Sequence, residues 1–189
     1  MGTTGDDKDV QTEAAKRYEA HKAGKALLGP DVLTATVFVL ASCGDAARYE
    51  EFSDAFRQAK SPQESDRYMY SMAMFADAAL LQKTLDKTLT GEVRSQNAPY
   101  LVRNVLLNPA GRTIGWEWVK TNWDKIRELF PSLIITRLVE GVSGLIDEKI
   151  ADDVDKFFAS HPVKEGQKTC DQHLEKLKVA IAFLRRERK

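Results

Sequence analysis

The sequence predicts an all-α protein, an α-solenoid of antiparallel, HEAT-like helix pairs with about ten helices. Three observations carry that prediction. Segments with apolar residues at spacings of three and four follow one another along the chain, separated by cap, proline and glycine signals. No stretch alternates apolar and polar residues for the length of a strand, and no Asn-Gly hairpin signal occurs. All three tryptophans, Trp116, Trp118 and Trp123, fall in "WEWVKTNW", on a segment whose apolar arc is wide enough to need neighbours on more than one side.

The elements follow in order. Residues 1–7 lack the basic and apolar regions of a secretory signal and read as a flexible leader or cloning remnant. Residues 8–189 then read as one helical-repeat domain. Asp7 to Leu28 is polar, rich in alanine and helix-favouring, and Gly29-Pro30 ends it. Asp31 opens an apolar helix through Cys43, closed by a C′ glycine at Gly44, with Asp45 capping the next. That helix carries Tyr49, Phe52 and Phe56. Ser61-Pro62-Gln63-Glu64 combines a capping box with proline at the first helical position, and Tyr68, Met72 and Phe75 follow. Asp77 caps a helix with Leu81, Leu85 and Leu89 on one stripe, and Gly91 breaks the pattern.

A helix capped by Asn97 runs to about Leu107, and Asn108-Pro109 starts the tryptophan helix by the same cap-plus-proline logic. At about 100° per residue, Trp116, Val119, Trp123, Ile126 and Phe130 share one side of it, extended by Ile114, Trp118 and Leu129. Buried on both flanks, the indoles serve architecture rather than a ligand-stacking platform. Pro131 stops this helix and begins one carrying Leu133, Leu138 and Val142. Asp147 caps a helix ending in Phe157-Phe158, His161-Pro162 turns, and a last helix uses Leu174, Leu177, Ile181 and Leu184. The "RRERK" tail reads as a solvated helix end whose cations suit the helix dipole.

Composition excludes several function classes. The 28 basic residues balance 28 acidic ones, so no net charge draws nucleic acid or an anionic membrane. The longest apolar run, Val32 to Cys43, is far short of the ~20 residues of a membrane span. Two distant cysteines, Cys43 and Cys170, make no disulfide framework and point to reduced thiols in the cytoplasm. No His-Glu-x-x-His, Walker, Gly-x-Gly-x-x-Gly or Gly-x-Ser-x-Gly motif occurs. Cys170 and His173, at i and i+3, would supply two metal ligands, and two do not make a site. Glu50-Glu51 and Asp152-Asp153 read as solvated helix surface. The chain therefore holds no self-sufficient catalytic set.

One segment stands out, "EVRSQNAPYLVRN". Arg94 and Gln96 lie in a loop, Asn97 at the cap and Arg103 two turns into the helix. A guanidinium, an amide and the free N–H groups of a helix start can hold a carboxylate. The competing reading is loop stitching, with Arg94 and Gln96 tying neighbouring helices through backbone carbonyls.

The order of motifs from "ALLQKTLDKTLTGEVRSQNAPYLVRNVLLNPAGRTIGWEWVKTNWDKI" through "LIDEKIADDVDKFFASHP" to "LEKLKVAIAFLRRER" resembles the helical C-terminal domain of the aminopeptidase N-like zinc metallopeptidases. That group includes the puromycin-sensitive, endoplasmic-reticulum and tricorn-interacting aminopeptidases. The resemblance spans about Lys8 to Arg188, and it implies that residues 8–189 are a fragment of a larger C-terminal domain or a separately encoded subunit of such an enzyme. It departs at Asn97, where the family usually has an acidic residue, and in "SLIITRLVEGVSGLIDEKI", which lacks the family's Phe-Ser/Thr. The resemblance implies a non-catalytic lid that closes a peptide chamber and contacts the distal part of peptide substrates. It places Arg94, Gln96, Asn97 and Arg103 as the candidates facing that chamber. It also implies a partner, the parent enzyme's catalytic domain, which would carry the zinc that this chain lacks. The alternative is a freestanding helical-repeat scaffold that binds a peptide or protein.

Overall fold

The computed structural model describes residues 2–187, and among these it contains α-helices and short 3-10 turns with no strand. The eleven α-helices fall into two compact units, one up to Leu80 and one from Leu81 onward.

The first unit contains α1 (Lys8–Lys22), α2 (Pro30–Ser42), α3 (Ala46–Arg57) and α4 (Pro62–Ser71). Local side chains start three of them. Asp7 accepts the amides of Asp9 and Val10, Asp45 that of Arg48, and Ser61 that of Glu64. Each satisfies donors that a helix start leaves unpaired. The Ser61 capping box is completed one residue early, because Glu64 accepts from the amide of Lys60. Helix α1 ends six residues before the predicted Gly29-Pro30 stop. Gly24 takes φ +67 and Lys25 N–H donates to the Ala20 carbonyl at 2.9 Å, which is a Schellman closure that Gly24 permits without a Cβ penalty. Residues 2–5 form a turn, and the Gly2 carbonyl accepts from the Gln11 side chain at 3.0 Å. Gly44 is needed for space rather than for φ, since a Cβ there would sit 2.7 Å from the Leu40 carbonyl oxygen. The core joins Tyr18, Tyr49, Phe52, Met69 and Phe75, with Tyr18, Tyr49 and Phe75 meeting their neighbours edge-on, the geometry that aromatic quadrupoles favour.

Helix α5 (Ala78–Asp86) begins in the first unit and runs into the second, which also contains α6 (Ala98–Leu107), α7 (Arg112–Thr121), α8 (Trp123–Leu129), α9 (Ser132–Val139), α10 (Glu148–Ser160) and α11 (Gln167–Glu187). Asp77 and Asp147 cap α5 and α10 as predicted. Helix α6 is central and buries Leu101, Val102, Val105 and Leu106. It packs against α7, α9 and the 3-10 turn Glu140–Gly144, which in turn packs on α11.

The tryptophan segment is two helices, not one. Asn122 leaves the helical region at φ −107, and its side-chain amide donates to the Trp118 carbonyl at 2.9 Å. The side chain thus competes with the backbone ladder for that acceptor. Asn108 likewise starts no helix. It closes α6, and its side chain accepts from the Ala110 amide, so α7 begins only at Arg112. The burial of the indoles is nevertheless as predicted. Trp116, Trp118 and Trp123 are 1, 4 and 3% exposed. Trp116 and Trp123 meet Phe157 edge-on at 5.3 and 5.4 Å. Leu129 and Leu133 are exposed, contrary to the predicted apolar arcs, because the break at Asn122 and the Pro131 turn rotate them to solvent. Arg188 and Lys189 of the basic tail lie outside the described residues.

Candidate functional site

The loop ahead of α6 is built from local bonds. Gly91 takes φ +82, a conformation that glycine adopts without strain. Lys87 is buried and its ammonium meets Glu92 at 2.6 Å, a pairing that burial of a cation requires. The Arg94 carbonyl then accepts the amides of Asn97 and Ala98, at 2.8 and 3.0 Å. Arg94 and Gln96 carry exposed side chains, and Asn97 is half-buried.

Asn97 holds the cap position in a helical conformation and its side chain makes no cap bond. The first-turn amides are already used: Ala98 donates to Arg94, and Tyr100 and Leu101 both donate to the Asn97 carbonyl. Pro99 has no N–H to offer. The expectation that free amides here attract an anion therefore fails. Because Asn97 continues the helical path, the backbone satisfies its own start.

Arg103 sits in a cluster that spans 37 residues of sequence. Its Nη1 donates to Glu140 Oε2 at 2.9 Å, and Arg137 Nη1 donates to Glu140 Oε1 at 2.5 Å. Gly141 and Gly144 make this meeting possible. A Cβ on Gly141 would lie 3.0 Å from Leu106 and 3.1 Å from the Arg103 Cα, and one on Gly144 would lie 3.1 Å from the Leu106 carbonyl oxygen. With no Cβ in the way, the turn lies directly on α6 and brings Glu140 to Arg103. The Arg103 guanidinium also stands 5.7 Å from the Tyr100 ring centre, within cation–π reach.

Electrostatics bind the cluster further. Burial opposes ionisation of Glu140, but hydrogen bonds from Arg137 and then Arg103 outweigh it and hold the carboxyl below its ordinary value. The same pairing raises Arg137. His173 of α11 is acted on by Glu140, Arg103 and Lys176, and burial above all pushes its ring below the ordinary histidine value. Arg103 Nε and, on α11, His173 Nδ1 are buried without a hydrogen-bond partner.

The four residues singled out from sequence thus divide. Arg94, Gln96 and Asn97 share the loop at the start of α6, and Arg103 is drawn into the ion cluster on α6. Sequence reasoning did not find Tyr100, Arg137 and Glu140 as its companions. The available signal was Arg137 and Glu140 at i, i+3, followed by the paired glycines of "EGVSG". Cys170 is buried, not on a surface face, and burial pushes its thiol up to about 11. Asp153, read as solvated surface, accepts from the Trp116 indole at 2.7 Å and from Lys120 at 2.6 Å. Among the described residues no group of three His, Cys, Asp or Glu side chains is placed to hold a metal ion. Nor does any helix among them have the length and apolarity to cross a membrane.

A family model described as the ERAP1-like C-terminal domain matches residues 1–179. The chain is 30% identical over 173 residues to Aminopeptidase M1-A of Oryza sativa subsp. japonica, covering 88% of this chain and 20% of that protein. It is 30% identical over 174 residues to Aminopeptidase M1 of Arabidopsis thaliana, with 88 and 20% covered. It is 26% identical over 186 residues to the mitochondrial Aminopeptidase 2 of Saccharomyces cerevisiae, with 96 and 20% covered. The chain spans about a fifth of the length of these relatives.

Proposed function

Because this chain belongs to the ERAP1-like C-terminal domain family, we propose that it is the non-catalytic lid of a zinc aminopeptidase. In this reading it closes an internal peptide chamber and contacts the distal part of peptide substrates. The observation that carries the reading is the match of nearly the whole chain to one domain of aminopeptidases some five times longer. The residues of this chain do not fit a zinc site: no cluster of ligands is present among those described, and a catalytic zinc needs three protein ligands and an open position. Zinc and the general base would come from the catalytic domain, which is this domain's partner.

Arg94, Gln96, Asn97 and Arg103 are proposed to meet the peptide, with Arg94 and Gln96 exposed at the loop and Arg103 held in place by Glu140. A guanidinium oriented in advance by a carboxylate loses less freedom when it binds. The proposed compartment is the cytoplasm, the expectation from two thiols without a framework.

The test uses the longer aminopeptidase polypeptide. Arg94→Ala and Arg103→Ala should change its preference among peptides of different length and leave turnover of a single aminoacyl amide unchanged. The chain by itself, supplied with zinc, should show no turnover. Turnover by the chain alone, or a length preference that neither variant moves, would overturn the reading.

A second reading, a freestanding scaffold, is favoured by one feature. Val10, Ala14, Val32, Ala35 and Val39 line an open apolar groove between α1 and α2, suited to an apolar helix face. Recovery of a partner that is not a metallopeptidase would support it.

A further inference from the structure

Helix α2 carries no charged residue after Asp31, and "VLTATVFVLAS" runs apolar and small to its end at Ser42. A helix that is apolar on every side belongs inside a protein. Only one side of α2 is inside. Leu33, Val37 and Leu40 are buried, whereas Val32 is 46% exposed. Val32, Ala35 and Val39 open onto a groove that Val10 and Ala14 of α1 complete. Thr36, the polar residue of its floor, donates its hydroxyl to the Val32 carbonyl at 2.7 Å and adds no free polar group. The chain's own first turn closes one end of the groove, where a Cβ on Gly2 would lie 2.7 Å from Val10 and 2.9 Å from Val39. The rest, toward Arg17 and Val32, is uncovered.

The α1 rim of this groove carries Asp9, Glu13 and Arg17, which lie in one row because they are four residues apart. The row reads acid, acid, base. Arg17 Nε donates to Glu13 at 2.7 Å, which leaves its two Nη groups for another acceptor. The Asp9 carboxylate pairs with no side chain among the described residues. The α2 residues that line the groove are uncharged. Such a row complements itself when a second copy is laid on it antiparallel. A two-fold axis beside Glu13 brings Asp9 of each copy opposite Arg17 of the other, as an isologous interface requires. Each Arg17 then lies between its own Glu13 and the second copy's Asp9. A parallel alignment would instead set like charge on like.

We propose that this face binds a second copy of the same chain, with the two α1 helices antiparallel, Asp9 and Arg17 paired across the axis, and Val10, Val32, Ala35 and Val39 buried between the copies. Helix α1 has 15 residues, so the face is about 22 Å long at 1.5 Å per residue and about 20 Å across two packed helices. A few hundred Å² per copy belongs to the class of weak, reversible complexes and not to that of obligate dimers. The proposal concerns this face alone and does not rest on the lid reading.

Sedimentation velocity of the full chain tests it across about 5 to 500 µM, the range in which complexes of micromolar affinity form and dissociate. The sedimentation coefficient should rise with concentration toward that of a dimer. Ala35→Glu, at an exposed position, should keep the helical circular-dichroism spectrum and weaken pairing by about tenfold or more, because it buries an unpaired charge. Asp9→Arg and Arg17→Glu should each weaken pairing by about fivefold or more, since each turns two attractive contacts per dimer into repulsive ones. The double variant should return to within about twofold of the wild type, because it restores opposite charges across the axis. A wild-type chain that stays monomeric throughout overturns the proposal and leaves the face to a different polypeptide. Assembly beyond a dimer, or a dimer indifferent to Ala35→Glu, also overturns it. So does a dimer that neither single charge variant weakens, or that the double variant fails to restore. Should Ala35→Glu fail to fold, the charge variants still decide, because Asp9 and Arg17 are exposed.

Discussion

Replacing Trp123 with alanine should cost roughly 3–5 kcal/mol, the range for removing a large aromatic from a packed core. The ring is 3% exposed and meets Phe157 and Phe158 edge-on, with centroids 5.4 and 5.7 Å away. Those two rings belong to α10, so the void closes only if that helix moves. For a chain of this length each kcal/mol shifts Tm by about 2–4 °C, so a fall of roughly 6–20 °C is expected. Calorimetry measures it, and near-UV circular dichroism follows the indole environment in the same samples. Phenylalanine variants separate ring packing from indole bonding. Trp123 Nε1 is buried with no hydrogen-bond partner, so Trp123→Phe forfeits no bond and should cost only about 1–2 kcal/mol. Trp116 Nε1 donates to Asp153, and a bond to a charged partner contributes about 1.5–3 kcal/mol. Asp153 keeps Lys120 and has a side chain 44% exposed, so Trp116→Phe belongs at the low end of that range. A Trp123→Ala protein melting within about 2 °C of the wild type, or indoles quenched as readily as free tryptophan, would refute the reading of these residues as core.

Three other outcomes are expected. Gly141→Ala should destabilise by about 1–3 kcal/mol, because its Cβ meets Leu106 and the Arg103 backbone, whereas Gly29→Ala, with open space around it, should change stability by less than about 0.5 kcal/mol; urea unfolding compares the two. Asp153, held low by hydrogen bonds from Lys120 and then Trp116, and Glu140, whose opposing burial is outweighed by its two arginines, contribute stability that is complete above the ordinary carboxylate range. That contribution is lost as pH falls through their lowered folded values, so a Glu140→Gln, Asp153→Asn protein should show a flatter decline below about pH 4 in acid unfolding. A thiol reagent at neutral pH should label exposed Cys43 at once and Cys170 only on unfolding, because the latter is buried and pushed up to about 11; equal rates would contradict that burial.

What the sequence determined by itself was local or periodic. Asp45, Ser61, Asp77 and Asp147 announce helix starts because a cap acts on amides two or three residues away. The indoles announce a core because their spacing places them on one wide apolar arc. The order of motifs was enough to identify the family, since it needs no coordinates. Helix ends were harder to read. Gly24 outcompeted Gly29-Pro30 through a Schellman closure, and Asn122 split one predicted helix into two, because small choices of φ and a single side-chain bond decided each. Only the tertiary structure could decide the companions of Arg103. Glu140 is 37 residues away and reaches it because two glycines let a turn lie on α6. Trp116 finds Asp153 across the same separation. Such pairings depend on which helix faces pack together, and a pattern confined to one helix at a time carries no record of that.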